Sequence, residues 1–178
     1  MRFRTVMFAM LSVLLMASLA AARTRSKQDP QKDYLTDAEA DKIRDAVTPP
    51  ERIKLYLSFA DDRLKKFQYE LTRTTPEGRR GEILNGLLND YAGCMDDAAD
   101  QIAVAREKQV DIRGQLKLME SKGKEFLEIL ERLDKGGAEL ATYKDTLEDA
   151  IEGTKDALSD ADAASKELTP VPVRRKPS

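Results

Sequence analysis

The chain has no histidine, no tryptophan and a single cysteine, Cys94, in 178 residues. Each absence removes a class of chemistry. Without histidine the commonest metal ligand and the side chain that titrates nearest neutrality are missing, which excludes His-ligated zinc hydrolases, di-iron bundles, His-ligated haem and Ser-His-Asp triads. One thiol makes no internal disulfide, no four-thiolate zinc site and no CxxC redox pair. An excess of either charge is also lacking, because 30 basic residues meet 32 acidic ones for a formal charge of −2. An electrostatic nucleic-acid binder needs a net basic face, so that class is set aside too. Glycine is sparse, and its close pairs, Gly78-x-x-Gly81 and Gly136-Gly137, lack the lysine and strand context of a phosphate loop. No Asn-x-Ser/Thr acceptor occurs.

The one long apolar run is N-terminal. Arg2 and Arg4 precede Val6 to Leu19, and Ser18, Ala20 and Ala22 supply the small residues of a cleavage site. Residues 1–22 therefore read as a signal peptide, and the chain as exported, periplasmic or extracellular after cleavage. The rival reading is an uncleaved anchor, for which the run sits at the short edge of a bilayer span. A lipid-anchored variant needs a cysteine directly after the run, and Cys94 lies far downstream. The absent glycosylation acceptor favours a bacterial envelope over a eukaryotic secretory route.

Residues 23–33, RTRSKQDPQKD, carry no apolar period and read as a disordered linker. The tail 169–178, TPVPVRRKPS, holds three prolines and a basic Arg174-Arg175-Lys176 cluster, a solvated extension or a weak tether to an anionic surface. Between them, residues 34–168 read as a helical domain. Thr36-Asp37-Ala38-Glu39 is a capping box that opens a short helix over about 36–46. Thr48-Pro49-Pro50-Glu51 opens a second over 49–74, with an apolar seam Ile53, Leu57, Ala60, Leu64, Phe67, Leu71, widened by Leu55, Tyr56 and Phe59.

The strongest pattern is Leu84, Leu88, Tyr91, Met95, Ala98, Ile102, Ala105, Gln109, Ile112, Leu116, Met119, Gly123, Phe126, Leu130, Leu133, whose spacings alternate 4 and 3 without a slip. Only Gln109 and Gly123 interrupt its apolar character. The pattern allows one helix over 78–135, roughly 87 Å long, acting as a spine, or a break near 107–114 that makes a four-helix bundle. A last helix over 137–168 carries Leu140, Leu147, Ile151, Leu158, Ala161 and Leu168, with Tyr143, Ala150, Ala157 and Ala164 beside that seam. Folding at Pro76 sets Leu64 opposite Leu88 and Leu57 opposite Met95. Folding at Gly136-Gly137 sets Phe126 against Leu147, Leu116 against Leu158 and Gly123 against Ala150. The fold class is all-α: long amphipathic helices with heptad seams, in an antiparallel coiled coil or elongated helical bundle after the signal peptide.

Candidate constellations are few. Asp90, Asp96, Asp97 and Asp100 crowd around Cys94, yet no D-x-D-x-D-G calcium pattern accompanies them, so they read as a solvated acidic face opposite basic residues of the second helix. Cys94, beside the seam residue Met95, is a buried inert thiol or an intermolecular disulfide partner. Gln109 and Lys144 stand where apolar residues are expected and set register or mark a bend. The tyrosines at 56, 69, 91 and 143 are spaced as core and flank residues, and are not interleaved with basic ones as single-strand binding requires. Catalytic, cofactor and metal residues are none, and no cofactor or small-molecule substrate is implied. The expectation is a non-enzymatic exported helical protein working through protein–protein contacts, as an oligomer, spacer or adaptor in the cell envelope, with no nucleic-acid partner. A periplasmic holdase-type chaperone for unfolded envelope proteins is the alternative, and an enzyme without a recognisable site the third.

Overall fold

A computed structural model describes residues 33–74, 77–137 and 139–168. The export signal read at 1–22, the linker up to Lys32 and the tail 169–178 lie outside these residues. The described residues form five helices and are all-α: α1 (Asp37–Asp45), α2 (Pro49–Thr72), α3 (Glu77–Glu107), α4 (Arg113–Asp134) and α5 (Leu140–Glu167). No helix among them is long and apolar enough to cross a membrane.

Local signals set the helix starts. Thr36 Oγ1 accepts from the Glu39 backbone N–H at 3.3 Å while Glu39 Oε2 accepts from the Thr36 N–H at 2.9 Å, a complete capping box. At α2 the Glu51 carboxylate reaches back to the Thr48 N–H at 3.1 Å, and Pro49-Pro50 occupy the first turn where no donor is needed.

The helix breaks between Glu107 and Arg113, which rules against the continuous spine and agrees with the alternative break near 107–114. Gln109 adopts φ 54°, a left-handed conformation, and two backbone bonds close around it. The Val110 N–H reaches Ala105 O at 2.9 Å and the Gln109 N–H reaches Arg106 O at 3.0 Å. This is a Schellman stop, with Gln109 at the position usually held by glycine. Val110 is half-buried against the core, the apolar contact that such a stop favours. The heptad spacing passes through the break unchanged, so periodicity alone does not reveal it.

Four helices then close a ring in the order α2, α3, α5, α4, each packed on its two neighbours. The chain thus crosses the bundle diagonally in the short link from α3 to α4. Tyr91 of α3 meets Phe126 of α4 edge-on across the centre, with ring centroids 5.8 Å apart. Phe67 and Tyr143 make the same contact across the other diagonal at 5.1 Å. α3 and α5 run parallel: Thr146 bonds Asn85, and Arg106 pairs with Glu167, each pair 61 residues apart in sequence.

The seam residues from Leu84 to Ala105 and from Ile112 to Leu130, Gln109 apart, are buried within this one chain. On α2 the register matches expectation, since Arg63 lies beside Asp90, within one turn of the Leu64–Leu88 level. On α5 it does not. Gly123 faces Leu158 instead of Ala150, and Glu131 pairs with Lys155, so α5 is displaced by about two turns along α4. The displacement carries the first turns of α5 past the end of α4, where Tyr143 finds Phe67 and Asn85 Nδ2 donates to Thr142 O at 2.9 Å. The buried line of α5 is Tyr143, Leu147, Ala150, Thr154, Ala157, Ala161 and Ala164, which joins the expected flank to Leu147 and Ala161 of the expected seam. Its alanines let α5 approach both neighbours closely, while Leu140, Ile151 and Leu158 are half-buried at the sides. Lys144 points outward and pairs with Glu148 at 3.4 Å.

Candidate functional site

The most organised polar constellation centres on Arg63. The residue continues the widened apolar stripe of α2 after Tyr56 and Phe59, and only 3 % of it is exposed. A buried guanidinium needs partners for its fork of donors. Its Nη2 donates to Glu39 Oε2 at 2.6 Å and to the Tyr34 carbonyl at 3.0 Å. Its Nη1 donates to Glu39 Oε1 and to Asp62 Oδ2, both at 2.9 Å. Asp90 of α3 stands 3.7 Å from its Nε.

Glu39 is therefore shared: one carboxylate closes the α1 capping box and clamps Arg63 in a bidentate pair. Burial pushes its pKa up, but the hydrogen bonds from Arg63 and Thr36 outweigh that and bring it down from 4.5 to about 2. Hydrogen bonding to Glu39 reinforces the charge of Arg63 against its desolvation. Asp90 moves the other way, raised by burial and only partly relieved by Arg63. Beside this junction the Tyr34 ring lies so close to Gly93 that a Cβ there would stand 2.8 Å from the ring edge.

The acidic residues singled out in the sequence do not converge. Asp90 belongs to the Arg63 junction, Asp97 is buried, and Asp96 faces α5 at Gly153. The Asp96 carboxyl is raised by burial and by the charge of Asp100. Among the described residues no group of three or more metal-ligating side chains comes together. Cys94 is fully buried in the core, so its thiol reaches no second chain in this conformation.

Two further polar features escape the apolar pattern. Tyr91 and Thr154 share a buried 2.7 Å hydrogen bond, and Thr154 Oγ1 donates to Ala150 O at 2.6 Å. Because the threonine proton is committed to that carbonyl, the tyrosine hydroxyl is the donor of the pair. Burial raises the Tyr91 pKa above its ordinary value. At the opposite end from the α3–α4 link, Arg80 donates to the carbonyls of Leu71 and Arg73 and pairs with Glu139. It thereby caps α2 and ties the starts of α3 and α5 together. A groove between α4 and α5 is lined by Leu116, Glu120, Lys124, Leu158 and Ala161 among others.

Arg63 is visible in the sequence only as a cation that interrupts a stripe of aromatics, and Thr154 as a hydroxyl among alanines seven and four residues apart. Neither signal names a partner. Comparisons with protein families, with curated proteins and with solved structures find no match for this chain.

Proposed function

We propose that this is an exported, non-enzymatic helical protein that acts in the cell envelope through protein–protein contacts, as an adaptor or spacer. The observation that supports it best is how the bundle disposes of its apolar surface. The heptad seams bury against helices of the same chain, and what faces outward on the described residues is densely charged, with Val47 and Tyr69 the large apolar residues left exposed. α5 alone carries eight acidic residues against three lysines. Such a surface favours a partner recognised by charge and shape, since a chaperone for unfolded clients works through accessible apolar surface. Export rests on residues 1–22, with their basic start, apolar run and small-residue end.

Affinity capture of the chain from its native envelope extract, with bound proteins identified by mass spectrometry, tests the proposal. One stoichiometric partner is expected. A broad population of unfolded envelope proteins would overturn it in favour of a holdase.

A further inference from the structure

We propose that the α2–α3 surface holding α1 is a helix-docking site that also accepts α1 from a second copy of this chain. Residues 34–46 then plug the site within one molecule or link two. The proposal rests on reading the chain as one that works by protein contact, and it names the partner for one surface.

The attachment of α1 is small and concentrated. None of its residues is fully buried, and its apolar contribution comes from half-buried Leu35 and Ile43 and from Ala46. The hold is made by Arg63 on Glu39 and the Tyr34 carbonyl, by the Tyr34 ring on Gly93, and by Arg52 Nε, which donates to the Ala46 carbonyl at 3.0 Å. Elements with little buried apolar surface open at low free energy while the rest of a fold stays intact.

Both sides of this contact are complete on either side of a short connector. Ala46 (φ −69°, ψ 110°) and Thr48 (φ −112°, ψ 147°) are extended, and Val47 between them is 85 % exposed. A swing there separates α1 from α2 without unwinding either helix, because each has its own N-terminal cap. Every partner that α1 uses lies beyond the connector, on α2 or α3. An α1 from another copy therefore meets the same guanidinium fork, the same glycine and the same flanking apolar residues. Exchange of an identical element costs only the hinge change and the loss of an intramolecular effective concentration.

Charge exchange tests this. In Glu39→Arg the plug faces a like charge within its own chain, and in Arg63→Glu it does as well. When the two full chains are mixed, the plug of the Glu39→Arg chain fits the site of the Arg63→Glu chain, while the remaining plug and site form the native pair. Light scattering of the equimolar mixture is expected to show a dimer fraction about tenfold above that of either variant alone, with amide protection of residues 37–45 restored. A mixture that keeps monomer mass and an unprotected α1 would overturn the proposal. Circular dichroism checks that the Arg63→Glu chain keeps its helices. Where it does not, tagged and untagged wild-type chains are unfolded and refolded together. Co-capture of the untagged copy, abolished when both carry Glu39→Arg, is the expected result, and no co-capture overturns it. Neither failure touches capture of a different protein, which tests the adaptor reading separately.

Discussion

At the scale of single residues, the buried Arg63 and Thr154 each have defined hydrogen-bond partners. Tyr91→Phe removes a donor and leaves Thr154 still bonded to Ala150 O, so a loss of about 1 kcal/mol or less is expected by urea unfolding. Thr154→Val keeps the shape but strands a buried tyrosine hydroxyl, for an expected loss of about 1–3 kcal/mol. The double variant should lose less than the two losses added, because once both groups are apolar nothing is left unpaired. Glu39 carries a pH signature. Its folded pKa of about 2 lies below its ordinary 4.5, so the attachment it provides is whole above about pH 4.5 and fades as pH falls towards 2. Carboxyl-carbon NMR should find its midpoint near 2, and Arg63→Met should return the midpoint towards 4.5. A midpoint already near 4.5 in the wild type would contradict the Arg63 clamp. The pairings Glu39–Arg63 and Tyr91–Thr154 are the least legible feature of the sequence. A pattern of apolar spacings marks positions that face inward, and it carries no information about which inward position is polar or what answers it.

Individual helices were far more legible, because their signals are local. The Thr36–Glu39 box, the Thr48-Pro49-Pro50 start and the unbroken α2 and α3 seams all follow from caps and period. Two element-scale features did not. The stop after α3 uses Gln109 in the left-handed region without a glycine to announce it, and so a heptad continued through it. The same strain yields a prediction: Gln109→Gly should raise stability by about 0.5–1 kcal/mol, and Gln109→Val should lower it by about 1–2 kcal/mol, measured by chemical unfolding. Folding at Gly136-Gly137 gives the wrong register for α5 because it assumes a tight turn, whereas Tyr143 and Thr142 are placed by contacts with α2 and α3 that local sequence does not encode. For α1, Gly93→Ala should displace the Tyr34 ring and speed amide exchange in residues 37–45 while leaving the exchange of α3 and α5 unchanged. Faster exchange throughout the bundle would show that α1 is part of the global core instead of an appended element.

For the whole helical unit, the decisive property is that one chain closes its own core. A heptad run says that helices meet and not whether the partner helix is in the same molecule. The diagonal step at Lys108–Ile112 answers this by returning α4 to lie across the centre from α3, where Phe126 meets Tyr91. That closure is why the exterior, and not the seams, carries the proposed contacts. It also distinguishes the bundle sharply from a 78–135 spine. Glu82 and Glu131 are both exposed and sit on the two helices that the spine would join. Spin labels at these positions, read by double electron–electron resonance, give the most direct test. The bundle predicts a separation under about 35 Å, from interaxial spacings plus an axial offset, whereas a continuous helix would place the labels roughly 74 Å apart and contradict the account.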